Sequence, residues 1–173
     1  MALLTVRLYG DPILRQVAPP VREITPEITR IIADMTETMW HQVGIGLAAP
    51  QVGLSHRILV MDDGAGGAEA LINPVIESHS GTIREEEGCL SLPGIFGVVE
   101  RSKTITVKAL DASGHPRSFE AGGLRARIVQ HELDHLDGIL FIDRLPPVTR
   151  DRIKKKIQKE GFPKETRHHA FAL

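Results

Sequence analysis

The sequence has very little cysteine and no long apolar run, and both shortages limit what the protein can be. Cys89 is the only cysteine among the 173 residues, so no disulfide can form within the chain. No apolar stretch reaches the length of a membrane span, and the apolar part of residues 1–7 is too short for a signal peptide. We therefore expect a soluble cytoplasmic protein that makes no membrane contact.

The net charge is also small. A formal charge of −1 at pH 7 argues against a protein organised around DNA, although it leaves room for a local basic patch. Hydrophobic residues make up 42% of the chain and charged residues 25%, which permits a packed core. The length suits one domain. We expect a single domain over 1–173, ending in a basic helix at 148–160 and a tail at 161–173.

Hydrophobic periodicity predicts the secondary structure. Thr25 and Pro26 are typical of a helix start, and the first predicted helix ends near Gln42 or Val43. Two further helices are predicted at 124–136 and 148–160. Alternation and turn residues predict strands at 5–8, 57–61, 70–78, 80–85, 103–110 and 117–121. Because strands cluster in the middle of the chain, the pattern indicates an α+β fold with mainly antiparallel sheet.

An H-E-x-x-H motif lies inside the second predicted helix. His131 and His135 are four residues apart, so both imidazoles share one helical face and can reach one ion. They continue an apolar stripe that includes Leu124 and Ile128, which predicts that they point inward. Glu132 lies about 100° round the helix. It is a poor ligand there, but it can act as a base on a water bound to the metal. The alternative is a polar helix surface with incidental histidines.

A catalytic site of this kind needs a third ligand and one open position. Downstream carboxylates are poorly placed, since no glutamate occurs between Glu132 and Glu160. Upstream, Cys89 stands between glycine and proline residues, where we expect a sharp turn that opens onto a cavity. A lone cysteine is otherwise most often a small buried apolar residue. A thiolate with two imidazoles suits iron, zinc, nickel or cobalt.

Three blocks together resemble the peptide deformylases. They are G-I-G-L-A-A-P-Q-V-G at 44–53, E-G-C-L-S-L at 87–92 and Q-H-E-L-D-H-L-D-G at 130–138, in this order and spacing. The resemblance covers residues 5–144, and the charged helix that follows is similar to that of bacterial members. It implies mainly antiparallel sheets packed around a central H-E-x-x-H helix. It also implies an enzyme of protein biosynthesis that removes the formyl group from the N-terminal methionine of new proteins.

The resemblance assigns roles to particular residues. Cys89, His131 and His135 would hold the metal, and Glu132 would be the general acid/base. The oxyanion would face the side-chain amide of Gln51 and the backbone N–H of Leu90. The substrate peptide would pair with backbone groups of Ile45 and Gly46, and its methionine side chain would lie against Ile45, Leu124 and Ile128. Contacts beyond the methionine stay open, because the family varies at 94–97.

The expected cofactor is one Fe²⁺ per chain, with Zn²⁺, Ni²⁺ or Co²⁺ as substitutes. The expected partners are formyl-methionine nascent peptides. Six basic residues crowd the last helix, and they favour either a solvated face or a contact with ribosomal RNA. They are Arg150, Arg152, Lys154, Lys155, Lys156 and Lys159.

Three other functions remain as alternatives at this stage. A zincin-like metallopeptidase also uses H-E-x-x-H, but it takes its third ligand downstream. A non-catalytic copper protein also combines cysteine with two histidines, although it has no need of Glu132. A relative that only binds its ligand would be expected to have lost Glu132 or a metal ligand, and all four residues are present.

Overall fold

The computed structural model describes residues 2–163 and residue 173. Five strands form an antiparallel sheet in the order β1-β2-β3-β6-β7, and β4 and β5 form a separate two-stranded sheet. The strands are β1 (Gly46–Ala48), β2 (Ile58–Met61), β3 (Glu69–Ser80), β4 (Ile83–Cys89), β5 (Leu92–Arg101), β6 (Thr104–Leu110) and β7 (Pro116–Gly122). The predicted α+β class with mainly antiparallel sheet is confirmed.

Three α-helices accompany the sheets: α1 (Pro26–His41), α2 (Gly123–Leu136) and α3 (Pro147–Glu160). The start of α1 agrees with the sequence, because the Thr25 side chain accepts a hydrogen bond from the backbone N–H of Ile28 at 3.3 Å and Pro26 begins the helix. Short 3-10 helices lie at Pro12–Arg15, Ala49–Val52 and Phe141–Arg144. None of the helices within the described residues has the length and apolar character that crossing a bilayer requires.

The central sheet is apolar on both faces, which places a helix on each side. Along β2, Ile58 and Val60 belong to the core beneath α1, whereas Leu59 and Met61 belong to the core beneath α2. This division follows from the alternation of side chains along a strand. The sheet therefore holds α2 firmly on one face.

One predicted strand is wrong. No strand forms at 5–8; the backbone N–H of Arg7 donates to the carbonyl of Gln51, and that of Tyr9 donates to the carbonyl of Ser91. Gln51 lies in a 3-10 helix and Ser91 in the turn after β4, so the segment makes single hydrogen bonds to each and does not pair with a strand. Strand β5 was not predicted, because Pro93, Gly94 and Gly97 disfavour a strand. Of the predicted tail, residues 164–172 lie outside the part of the chain that the structure describes.

Candidate metal centre and active site

Helix α2 and the end of β4 bring three metal-binding side chains together. His131 and His135 lie one turn apart on α2, and Cys89 is the last residue of β4. One ligand atom from each residue lies within 4.8 Å of the other two, and Cys89 Sγ is 3.4 Å from His135 Nε2. All three side chains are buried. The backbone turns sharply at Leu90 and Ser91, as the glycine and proline around Cys89 predict, and Cys89 pairs with Leu92.

The donor atoms of this group fit a cation. His131 Nε2 is buried and has no hydrogen-bond partner, which is uncommon for a polar atom inside a protein. Burial lowers the pKa of His135, so its imidazole is neutral, the form that binds metals. Burial also raises the pKa of the Cys89 thiol, so a nearby cation is needed to hold it as a thiolate. Sulfur with two imidazole nitrogens suits a transition metal.

Glu132 lies beside these ligands without joining them. Its side chain is fully buried, and Oε1 is 3.9 Å from His131 Nε2. Neither carboxyl oxygen has a hydrogen-bond partner. Burial and the negative charge of Glu87 raise the pKa of Glu132 well above its usual value. A buried carboxyl of this kind can accept and return a proton near neutral pH.

A chain of buried ion pairs orients His131 through its Nδ1 atom. Glu87 Oε1 lies 2.8 Å from His131 Nδ1, which leaves Nε2 free to face a metal. Arg101 binds both oxygens of Glu87 at 2.9 Å and reaches Asp134 at 2.7 Å. Arg144 then makes two hydrogen bonds to Asp134. Burial alone would raise the pKa of Glu87, but hydrogen bonds from Arg101 and His131 lower it to about 2.

Sequence analysis did not identify Glu87 as a partner of His131. The available signal was an acidic residue two positions before Cys89, where strand alternation turns both side chains to one face. The signal alone does not show that Glu87 contacts His131, because that contact depends on how β4 packs against α2.

The other predicted site residues surround the same group. Gln51 is fully buried, and its side-chain nitrogen donates to Ser91 Oγ at 3.1 Å and lies 3.6 Å from Cys89 Sγ. Its side-chain oxygen accepts from the backbone N–H of Ala48 at 2.9 Å, which fixes the amide orientation. Leu90 follows Cys89 directly at the turn.

The predicted substrate-binding residues lie on two elements that touch. Gly46 begins β1, an edge strand of the large sheet, and Ile45 precedes it. Ile128 is fully buried on α2, and Ile45 and Leu124 pack partly buried against the same apolar cluster. Among the described residues β1 pairs with β2 alone, so the structure places an apolar surface beside a strand edge and the metal-binding group.

Comparison with known proteins gives one consistent result. Residues 3–151 match the model of the polypeptide deformylase family. The peptide deformylase of Alkalilimnicola ehrlichii is 49% identical over 162 residues, covering 92% of this chain and 91% of that protein. That of Carboxydothermus hydrogenoformans is 48% identical over 150 residues, covering 87% and 98%. The crystal structure of the Thermus thermophilus peptide deformylase superposes with a TM-score of 0.86 at 44% identity, covering 91% of this chain and 95% of that one.

Proposed function

The chain belongs to the polypeptide deformylase family and is an enzyme that removes the N-formyl group from newly made polypeptides, and we propose that it does so by metal-assisted hydrolysis at Cys89, His131 and His135. The observation that carries this proposal is the buried group of three ligands with the unpartnered carboxyl of Glu132 beside it. A zincin-like peptidase is not supported, because the metal-binding group found among residues 2–163 and 173 contains a thiol and no carboxylate.

Each residue has a defined task in this mechanism. Cys89, His131 and His135 would hold a divalent ion, which when bound would supply a Lewis acid for the hydrolysis. Glu132 accepts a proton from the attacking water and returns it to the departing amine. The side-chain amide of Gln51 and the backbone N–H of Leu90 donate hydrogen bonds to the negative charge that develops on the formyl oxygen. Glu87 keeps His131 in the tautomer whose Nε2 can bind the ion.

Substrate recognition follows from the edge strand and the apolar surface. A peptide in extended conformation can add to the free edge of β1 through backbone groups of Ile45 and Gly46. Its methionine side chain then packs against Ile45, Leu124 and Ile128, which favours an unbranched apolar residue. Since such peptides emerge from ribosomes, we place the enzyme in the cytoplasm.

We propose Fe²⁺ as the native ion. After anaerobic purification we expect about one iron per chain, formate release from formyl-Met-Ala and no acetate release from acetyl-Met-Ala. Activity should decay in air with a mass increase on the peptide that contains Cys89, the only thiol. Nickel should give an active enzyme that is stable in air, and zinc a less active one. A zinc-loaded enzyme that is fully active and indifferent to oxygen would rule out iron, and absence of formate release in every form would rule out the function.

Gly46 cannot carry a side chain without disturbing Glu132. A Cβ at this position would lie 2.8 Å from Glu132 Oε1 and 3.0 Å from Ile128 Cγ2, both on the buried face of α2. We expect Gly46→Ala to lower kcat roughly 10- to 100-fold, since a displacement of about 1 Å at a reacting group can cost that much. Metal content should stay unchanged. The matched control is Gly66→Ala, because no atom lies within 4 Å of its Cβ position; equal kcat for the two variants would contradict the expectation.

We also propose that α3 contacts ribosomal RNA. Ile153 and Ile157 pack against the β5 core, so the basic residues occupy the outer face, with Arg152, Lys155, Lys156 and Lys159 exposed. Replacing these four by alanine should abolish ribosome co-sedimentation at low salt and leave formate release from a dipeptide unchanged. Alanine at Arg22, Arg30 and Lys103, which are exposed elsewhere, is the control. Co-sedimentation that survives the α3 substitutions and does not weaken with salt would refute the contact.

A further inference from the structure

Leu173 lies in the groove beside Cys89, far along the chain from the residues that it contacts. Its backbone N–H donates to the carbonyl of Gly88 at 3.2 Å, and its carbonyl oxygen accepts from the N–H of Leu90 at 3.1 Å. These two hydrogen bonds bracket Cys89 in the manner of an added strand residue. The N–H of Leu90 that faces the substrate in the proposed mechanism is therefore already bound to a residue of the same chain.

The side chain of Leu173 occupies the apolar surface as well. It is fully buried, and it belongs to the same apolar cluster as Ile45, Leu124 and Ile128. Leucine and methionine are apolar side chains of similar volume, and they replace one another at low cost in protein cores. Leu173 thus takes the Leu90 N–H that the proposed function gives to the formyl oxygen, and it takes the apolar surface that the proposed function gives to the methionine side chain.

We propose that Leu173 is an internal competitor of the substrate and that its side chain occupies the methionine pocket. This inference rests on the proposed function for the identity of the groove. The occupant is Leu173 of this chain, which is held by two backbone hydrogen bonds and a buried side chain. Nascent formylated peptides and the tail exclude one another from the groove.

The position where the tail begins is compatible with this contact. Pro163 packs against the backbone at Gly94, where a Cβ would lie 3.0 Å from Pro163 Cβ. Gly94 is two residues from Leu92, the partner of Cys89 in the β4–β5 pair. Nine residues separate Pro163 from Leu173 in the sequence. Nine residues can span at most about 30 Å, and this limits the distance at which Leu173 can lie from Pro163.

An internal competitor raises the apparent KM and leaves kcat unchanged. Substrate binds only to the fraction of molecules whose groove is free, so the apparent KM increases in inverse proportion to that fraction. Once the substrate is bound, the tail has left the site, and kcat is that of the free enzyme. If between one third and one tenth of molecules are free, removal of the tail lowers KM roughly three- to tenfold at constant kcat.

The experiment compares metal-loaded enzymes with formyl-Met-Ala as substrate. A chain that ends at Pro163 and the full-length variant Leu173→Asp should both show this decrease in KM, while Leu173→Met should behave as the unmodified chain. The matched control is Leu3→Asp, the same substitution at an exposed leucine near the other end of the sequence. If the shortened chain fails to fold, Leu173→Asp decides. Equal KM for Leu173→Asp and the unmodified chain would overturn the proposal.

A binding measurement separates this proposal from the proposed function. A synthetic peptide of residues 164–173 should bind the chain that ends at Pro163 in isothermal titration calorimetry, and it should inhibit formate release competitively. The same peptide with Leu173→Asp should do neither. Binding by both peptides or by neither would refute the pocket assignment. Should no variant release formate, the proposed function fails, and calorimetry still decides whether the tail occupies the groove.

Discussion

Replacing Glu132 by glutamine lowers kcat for formate release by roughly 10³- to 10⁴-fold and leaves one metal ion per chain. The size of the loss is that of a positioned general acid/base, because glutamine can neither accept the proton from water nor return it to the amine. Metal content is retained because Glu132 is not among the three ligands. Stability should not fall, since neither carboxyl oxygen of Glu132 has a hydrogen-bond partner to lose.

Steady-state kinetics with formyl-Met-Ala and metal analysis of the same sample measure both quantities. The matched control is Glu85→Gln, which removes a carboxylate at an exposed position of β4 and should keep full activity. A Glu132→Gln enzyme that retained one tenth of the unmodified kcat would remove Glu132 from the proton transfer. A variant without metal would instead indicate that Glu132 supports the ligand group, and the kinetic assignment would then be wrong.

The metal-binding half-site on α2 was predictable from sequence because it depends on local geometry alone. A spacing of four residues in a helix places His131 and His135 on one face, whatever the rest of the fold is. The start of α1 at Pro26 was predictable for the same reason, since Thr25 and Pro26 act within one turn. In both cases the sequence separation that matters is shorter than five residues.

The contacts that hold the metal ligands in place depend on which elements pack together, so they could not be predicted from the sequence. Glu87 contacts His131 only because β4 lies against α2, 44 residues further along the chain. The segment 5–8 has the alternation of a strand, yet the backbone of Arg7 and Tyr9 bonds to a 3-10 helix residue and a turn residue instead of a strand. Leu173 offers no motif at all, and its contacts with Gly88 and Leu90 became visible only in the structure.

Replacing Arg101, the central residue of the buried ion pairs, should lower the stability of the protein strongly. Arg101 is 3% exposed at its side chain and neutralises Glu87 and Asp134 at once. Replacing it by methionine leaves Glu87 ionised and buried with only His131 as a partner. Removal of one member of a buried ion pair typically costs about 3–5 kcal/mol, because the remaining charge is uncompensated. We expect Arg101→Met to lower the free energy of unfolding of the metal-free chain by this amount in urea denaturation.

The same substitution should weaken metal binding about 10- to 100-fold in a chelator competition, because Glu87 is no longer held in position to orient His131. Lys108→Met is the matched control: it removes a cation from an exposed pair with Glu77, and it should leave both stability and metal affinity nearly unchanged. The double variant Glu87→Gln/Arg101→Met also removes the Glu87 carboxylate, whose charge is uncompensated without Arg101. It should therefore be more stable than Arg101→Met alone. If all three variants lost equal stability, burial of charge would not be the reason that Arg101 matters, and packing of its side chain would explain the loss instead.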